Sequence, residues 1–165
     1  MGKELEIFCK GLRNPWDITF DDGFNWLGTD NDQSGGEKIF MPFYGGHYGH
    51  RHPWSYSWTG ENHLPTVPAS GPFFDGSGVG IVHYTADHFP ESYRDVFLIG
   101  DWLRRKVYLY HPSWDGALMN ESDGKLEVFA DGGPRNALFR PSDMAVGPDG
   151  ALYVGGWGRH YGAEW

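Results

Sequence analysis

The spacing of glycine and proline constrains this chain more than any other feature. With 25 Gly and 11 Pro spread along 165 residues, few uninterrupted windows of about twelve residues remain for a helix, and none carries a 3.6-residue apolar period. What recurs is a short run rich in β-branched and aromatic residues, then a turn, then another such run. The runs at 17–20 and 25–29 flank Asp22-Gly23 and read as an antiparallel hairpin. Further strands are expected at 7–10, 37–43, 78–84, 95–101, 106–111, 125–129, 144–146 and 151–155. The pattern predicts an all-β fold.

An internal repeat sharpens that expectation. Laid on one another with one gap, the stretches from Pro15 to Gly28 and from Pro141 to Gly155 share Pro15/Pro141, Asp17/Asp143, Asp22/Asp149, Gly23/Gly150 and Gly28/Gly155. Repeated antiparallel four-strand units of about 40 to 50 residues are the signature of β-propeller blades, which bury their faces only against their neighbours. The expected organisation is a single partial β-propeller domain over 1–165. Within it, 7–10 is the outer strand of a preceding blade, 15–77 a blade with a long loop, 78–130 a complete blade, and 141–157 the inner strands of a further one. Propellers close with about four to eight blades, and this chain supplies about three. Exposed blade faces are therefore expected to be covered by the remaining blades or by self-association.

Composition narrows the partners. The formal charge is −9 and the longest basic run is Arg104-Arg105-Lys106, so neither nucleic acid nor an anionic membrane surface is an expected partner, since both need a basic face. A single cysteine, Cys9, excludes an internal disulfide framework, a multi-cysteine zinc site and a c-type haem attachment, and reads as a small buried apolar residue. No run of about 18 apolar residues predicts a transmembrane segment. The first residues, Met1-Gly2-Lys3-Glu4-Leu5-Glu6, lack the apolar core of a signal peptide.

At Gly11-Leu12-Arg13-Asn14-Pro15 the sequence resembles the glucose/sorbosone dehydrogenase family, six-bladed propeller enzymes dependent on pyrroloquinoline quinone (PQQ) that include aldose sugar dehydrogenases. In that family an Arg-Asn-Pro element is followed by a strand, a stretch ending Gly-Gly-Asp-Glu, and Asn-Tyr-Gly-Trp. Residues 29–37 and His47-Tyr48-Gly49-His50 fall into that register without a gap. Downstream, residues 84–101 resemble the family's Phe-Pro-x-x-Tyr-Arg-Gly-Asp-Leu-Phe segment, and Gly147-Pro148-Asp149-Gly150-Ala151-Leu152-Tyr153-Val154 its closing blade motif. The four motifs occur in the family's order, and the resemblance covers about residues 11–156, the C-terminal portion of such an enzyme.

The resemblance implies PQQ, calcium, a small-molecule sugar or alcohol substrate, hydride transfer to the quinone, and a periplasmic or secreted location. A quinone with three carboxylates needs Arg forks or Lys charges around it. By register with the family, Arg13 and Asn14 lie at the cofactor; Arg104, Arg105 and Lys106 cover a second basic position, against the competing reading of a solvated hairpin turn. Arg140 matches the first Arg of an Arg-x-Arg-Asp element whose second Arg is Ser142 here. Calcium takes six to eight hard oxygen ligands, and Asp30, Asn31, Asp32 and Glu37 supply oxygens where the family places it, although the family's Gly-Pro pair is Asp32-Gln33.

Three further features have two readings each. His47, His50 and His52 could ligate zinc or copper, but no carboxylate lies inside the cluster, and packing in a propeller loop is the more economical reading. Trp54, Tyr56 and Trp58 could present flat faces to a sugar ring or simply cover an edge. The family's general base is a His well upstream of Arg-Asn-Pro, and no His precedes Arg13 in this chain, so the catalytic base is unknown. A non-catalytic propeller that keeps only the scaffold, working as a binding or interaction module, is the alternative to the enzyme.

Overall fold

The computed structural model describes residues 2–31, 38–50, 76–120, 123–136 and 138–158. Among these the chain is all-β, with one 3₁₀ turn at Glu91–Tyr93. Strands β1 (Pro15–Phe20), β2 (Trp26–Asp30) and β3 (Lys38–Phe40) form a three-stranded antiparallel sheet. Strands β4 (Gly78–Tyr84), β5 (Val96–Asp101), β6 (Lys106–His111) and β9 (Lys125–Asp131) form a four-stranded antiparallel sheet in the order β4-β5-β6-β9. Between β6 and β9 the chain makes a small hairpin of β7 (Trp114–Asp115) and β8 (Leu118–Met119), which the sequence pattern did not predict. Strands β10 (Pro141–Val146) and β11 (Leu152–Gly156) pair as a third, two-stranded sheet.

The repeat is real and tighter than the sequence alignment implied. Phe20 faces Trp26 and Val146 faces Leu152 across their hairpins, and both ladders slip at the same point, between Pro15 and Asp17 and between Pro141 and Asp143. Each Asp turns its Oδ1 onto the next backbone N–H, that of Ile18 or Met144, at 2.8 Å. The turns match as well: Phe24 N–H donates to the Asp21 carbonyl, and Gly150 N–H to the Gly147 carbonyl. The two hairpins therefore superpose without the gap. Gly150 corresponds to Phe24, both at positive φ (77° and 61°), and not to Gly23.

A second departure concerns residues 7–10. They lie in no strand among the described residues; Lys10 is bridged in parallel to His47, and its N–H donates to the Gly46 carbonyl at 2.9 Å. Their apolar side chains pack instead, Phe8 edge-on against Trp26 of β2 with ring centroids 4.7 Å apart.

Strand β4 is the keystone, lying between β1 and β10. Its Ile81 N–H donates to Asp17 Oδ2 at 3.0 Å. At Gly80 the approach is close enough that a Cβ would sit 2.6 Å from the Asp143 Cα, so glycine is needed for the sheets to meet there. Strand β5 is buried along its whole length and its alternation feeds two cores. Phe97 and Ile99 join Leu27, Ile39, Ile81, Tyr110 and Met119, between the first and second sheets. Val96 and Leu98 join Tyr84, Val107, Leu109 and Met144, between the second and third. Each sheet thus covers its neighbour's face, the packing expected of successive blades. No helix is long and apolar enough to cross a membrane.

Candidate functional site

The strand registers bring several chain turns to one rim. Pro15 pairs with Asp30, Gly78 with Asp101, and Pro141 with Gly156, so the start of β1, the end of β2, the β5–β6 turn and the start of β10 all open on the same side. There they enclose a cleft of about 270 Å³, floored by Val79 and walled by Trp16, Trp102 and Trp157. Arg13, Asn14, Asn31 and Ser77 supply its polar groups.

Asp30 organises the first wall. It is fully buried at the end of β2, and its carboxylate accepts the Arg13 N–H at 3.1 Å and the Asn14 N–H at 2.7 Å. The Arg13 side chain then folds over, its Nη1 donating to the Asn31 carbonyl at 2.9 Å. Asn31 continues the chain of contacts, donating from Nδ2 to Ser77 Oγ. Directly across the ladder from Asp30 stands Lys38, equally buried. Two opposite charges thus occupy paired positions of the β2–β3 ladder, where cross-strand side chains share a face.

Asp101 organises the opposite wall. Its Oδ1 accepts the backbone N–H groups of Ser77 and Arg104, both at 2.9 Å, while its Oδ2 is buried with no hydrogen-bond partner within normal geometry among the described residues. Burial pushes this carboxyl above the usual carboxylate range, and the N–H groups of Arg104 and Ser77 and the Arg104 charge oppose the shift. The neighbouring Tyr108 hydroxyl is pushed up to about 12, first by burial and then by the Asp101 charge. Next in the chain, Trp102 donates from its indole Nε1 to the Trp157 carbonyl at 2.7 Å. Arg140 lies over the Trp102 ring, 4.6 Å from its centroid, and its Nη1 donates to the carbonyls of Trp102 and Leu103, each at 2.9 Å. Burial, and then the like charge of Arg105, lower the Arg140 pKa from its ordinary value.

The expected site residues are thus only partly gathered. Arg13, Asn14 and Asn31 line the cleft, Asp30 holds them from beneath, and Arg140 stacks against its far wall. Arg104, Arg105 and Lys106 form the β5–β6 turn beside that wall; Arg105 takes a left-handed backbone (φ 61°) and Lys106 faces Asp131 at 3.7 Å. Asp32 and Glu37 lie outside the described residues, as do His52, Trp54, Tyr56 and Trp58. His47 accepts the Gly49 N–H on Nδ1 at 3.1 Å, a packing role, and the described residues hold no group of three or more His, Cys, Asp or Glu placed to bind a metal. Sequence reasoning missed Lys38, Asp101, Trp102 and Trp157. The two tryptophans carried a readable signal, since each follows or sits within a Gly-rich strand end on the repeated rim.

With this geometry in hand, solved structures supply the comparison. The chain shares its fold with the soluble aldose sugar dehydrogenase of Escherichia coli in its apo-form, at 21% identity and a TM-score of 0.69 over 93% of this chain and 44% of that one. A glucose dehydrogenase matches at 18% identity and a TM-score of 0.71, again over 93% of this chain and 44% of its own. A putative oxidoreductase (glucose dehydrogenase) from Thermus thermophilus matches at 17% identity and a TM-score of 0.68, over 90% and 41%. This chain therefore spans less than half the length of the structures it resembles. No family model matches the sequence, and no curated protein matches it.

Proposed function

We propose that this chain carries the cofactor-binding part of a PQQ-dependent dehydrogenase that oxidises sugars or related alcohols. One observation carries the reading: Arg13 and Asn14 line a cleft of about 270 Å³ together with Trp16, Trp102 and Trp157, and Arg140 lies over the Trp102 ring beside it. These residues suit the group. A planar, conjugated tricarboxylate asks for aromatic faces and guanidinium forks, and both are present on this rim. When bound, PQQ supplies a two-electron acceptor for a hydride from the substrate's hydroxyl-bearing carbon.

The chain's own residues divide the work. Arg13 and Arg140 hold carboxylates, Asn14 offers an amide to the ring edge, and the indoles exclude water from its faces. Asp30 keeps Arg13 and Asn14 in place by accepting both of their backbone N–H groups. Arg104, Arg105 and Lys106 add positive charge behind the Trp102 wall. Calcium, implied by the resemblance, would draw on Asp32 and Glu37, which lie outside the described residues, while Asp30 spends its carboxylate on the backbone N–H groups of Arg13 and Asn14. The reading carries with it a periplasmic or secreted location, where the resembled enzymes take up their cofactor.

Titration of PQQ against the tryptophan fluorescence of the whole chain, with and without calcium, tests this. Saturable quenching is expected, with Arg13→Ala and Arg140→Ala each weakening binding at least about tenfold, a loss of about 1.4 kcal/mol. Binding indifferent to both substitutions overturns the assignment. Reduction of a dye acceptor on adding an aldose to the loaded protein separates an enzyme from a propeller that only binds.

A further inference from the structure

The fold buries Asp101 completely yet engages only one of its two carboxylate oxygens among the described residues. Oδ1 accepts from the Ser77 and Arg104 N–H groups, and each bond leads on to a guanidinium. On one side Ser77 Oγ accepts from Asn31, whose carbonyl receives Arg13 Nη1. On the other, the turn that begins at Asp101 carries the Trp102 and Leu103 carbonyls to which Arg140 Nη1 donates. Oδ2 takes part in neither path. It lies directly behind Gly76, a residue of the cleft wall, close enough that a Cβ on Gly76 would collide with it. One thickness of backbone therefore separates this oxygen from the cleft.

A charge in that position acts on whatever occupies the cleft. At an effective dielectric constant of about 20, one unit charge about 10 Å from another is worth about tenfold in an equilibrium constant. An ionised Asp101 thus opposes an anionic ligand, and the ligand in turn favours the neutral acid. The charged and titratable groups around Asp101 are Arg104, Arg105 and Lys106 in and after its turn, Tyr108 on β6, Asp131 on β9 and Arg140 ahead of β10. Arg13, Asp30 and Lys38 belong to the first wall. These surroundings do not remove the conflict, because Lys106 is shared with Asp131, and burial of Asp101 outweighs the Arg104 charge. We propose that Asp101 is a positioning residue that regulates the cleft by taking up a proton as an anionic ligand binds. The proton goes to Oδ2, where it disturbs neither bond to Oδ1, so that Ser77 and Arg104, and through them both arginines, stay in place. The neutral acid holds the site as the anion does, without repelling carboxylates inside it. This inference rests on the reading of the cleft as a site for PQQ, a planar tricarboxylate.

The test is the affinity of the whole chain for PQQ across pH, read by tryptophan fluorescence. Affinity should rise about tenfold as pH falls from neutrality through the range in which Asp101 gains its proton. Asp101→Asn mimics the neutral acid and keeps an oxygen for both N–H groups. It should bind PQQ about tenfold tighter than the native chain at neutral pH, and with little pH dependence. Asp101→Ala, which removes that oxygen, should bind more weakly at every pH. A purely structural carboxylate predicts weaker binding in both variants, and that result overturns the proposal. Calorimetry of the native chain in two buffers of different ionisation enthalpy needs no variant and counts the proton directly. Net uptake on PQQ binding is expected on acidification; release, or no exchange at any pH, overturns the proposal. A pH dependence that survives unchanged in Asp101→Asn places the proton on another group and does the same. Failure of PQQ to bind at any pH removes the cofactor reading and this inference with it, whereas binding that ignores pH removes this inference alone.

Discussion

Two buried carboxylates set the geometry of the rim, and they do so in opposite electrostatic conditions. Asp30 is surrounded by donors, accepting from Arg13 and Asn14 with Lys38 across the ladder. Removing it strands two N–H groups and takes away the carboxylate opposite the buried Lys38, a change of the kind that costs about 3–5 kcal/mol when a buried charge loses its counterpart. Asp30→Ala should therefore lower the urea midpoint sharply, whereas Asp30→Asn, which keeps an acceptor for Asn14, should cost clearly less; equal losses would deny the carboxylate this role. Asp101 is the reverse case, because burial outweighs its donors and its folded pKa lies above the unfolded value of 3.8. Above the folded pKa the cost of burying the anion is fully present. As pH falls through that pKa the folded state takes up a proton before the unfolded state does, so this group's contribution to stability rises until the pH is below the unfolded value. The melting temperature of the native chain minus that of Asp101→Asn should thus increase on acidification from neutrality, and a difference that is flat or falls would remove Asp101 as the source. Neither role was legible in the sequence. A buried Asp or Lys looks like a surface one until the fold closes over it, and only the Arg-Asn-Pro element, where local geometry and chemistry coincide, announced its side of the cleft.

At the scale of the hairpin, the pattern of turns was legible and its register was not. Asp, Gly and Pro mark where a chain reverses because each has its own backbone reason to do so, and the paired hairpins at β1–β2 and β10–β11 emerge where those residues repeat. The alignment by identity nevertheless placed Gly23 on Gly150, while the hydrogen bonds place Phe24 there. Sequence identity rewarded the matching Asp-Gly letters; the fold matches φ, and Phe24 holds at 61° what Gly150 holds at 77°. A left-handed backbone costs a non-glycine residue about 1–2 kcal/mol, offset in part by the extra unfolded-state freedom of glycine. The Phe24 side chain is 84% exposed and loses little if removed. Phe24→Gly should therefore be neutral or stabilising by up to about 1 kcal/mol in thermal melts, and a loss of more than that would mean the ring is held by contacts. At 7–10 a strand-like pattern meets no strand among the described residues, since a strand needs a partner and the local pattern does not specify one.

The whole molecule is held together through its middle sheet. The two cores lie on opposite faces of β5, one shared with β2 and β3 through Leu27 and Ile39, the other with β10 through Met144. The outer sheets also meet at the rim, where Trp16 of β1 donates from its indole to the Ser142 carbonyl of β10 at 2.9 Å, but their apolar cores join only through the middle sheet, so stability is communicated mainly in series. Large-to-small changes in such cores cost about 2–5 kcal/mol. If the coupling through β4 and β5 is strong, Leu27→Ala and Met144→Ala, on opposite sides of the molecule, should each shift one cooperative unfolding transition, with additive losses because they share no neighbours. If the middle sheet does not transmit the strain, each variant instead releases its own outer sheet in a separate early phase. Hydrogen exchange locates that event: amides of β5 and β6 should be the last to exchange in the native chain and in both variants. A variant in which β5 exchanges as early as β11 would mean that the middle sheet is not the stable centre around which the rim is built.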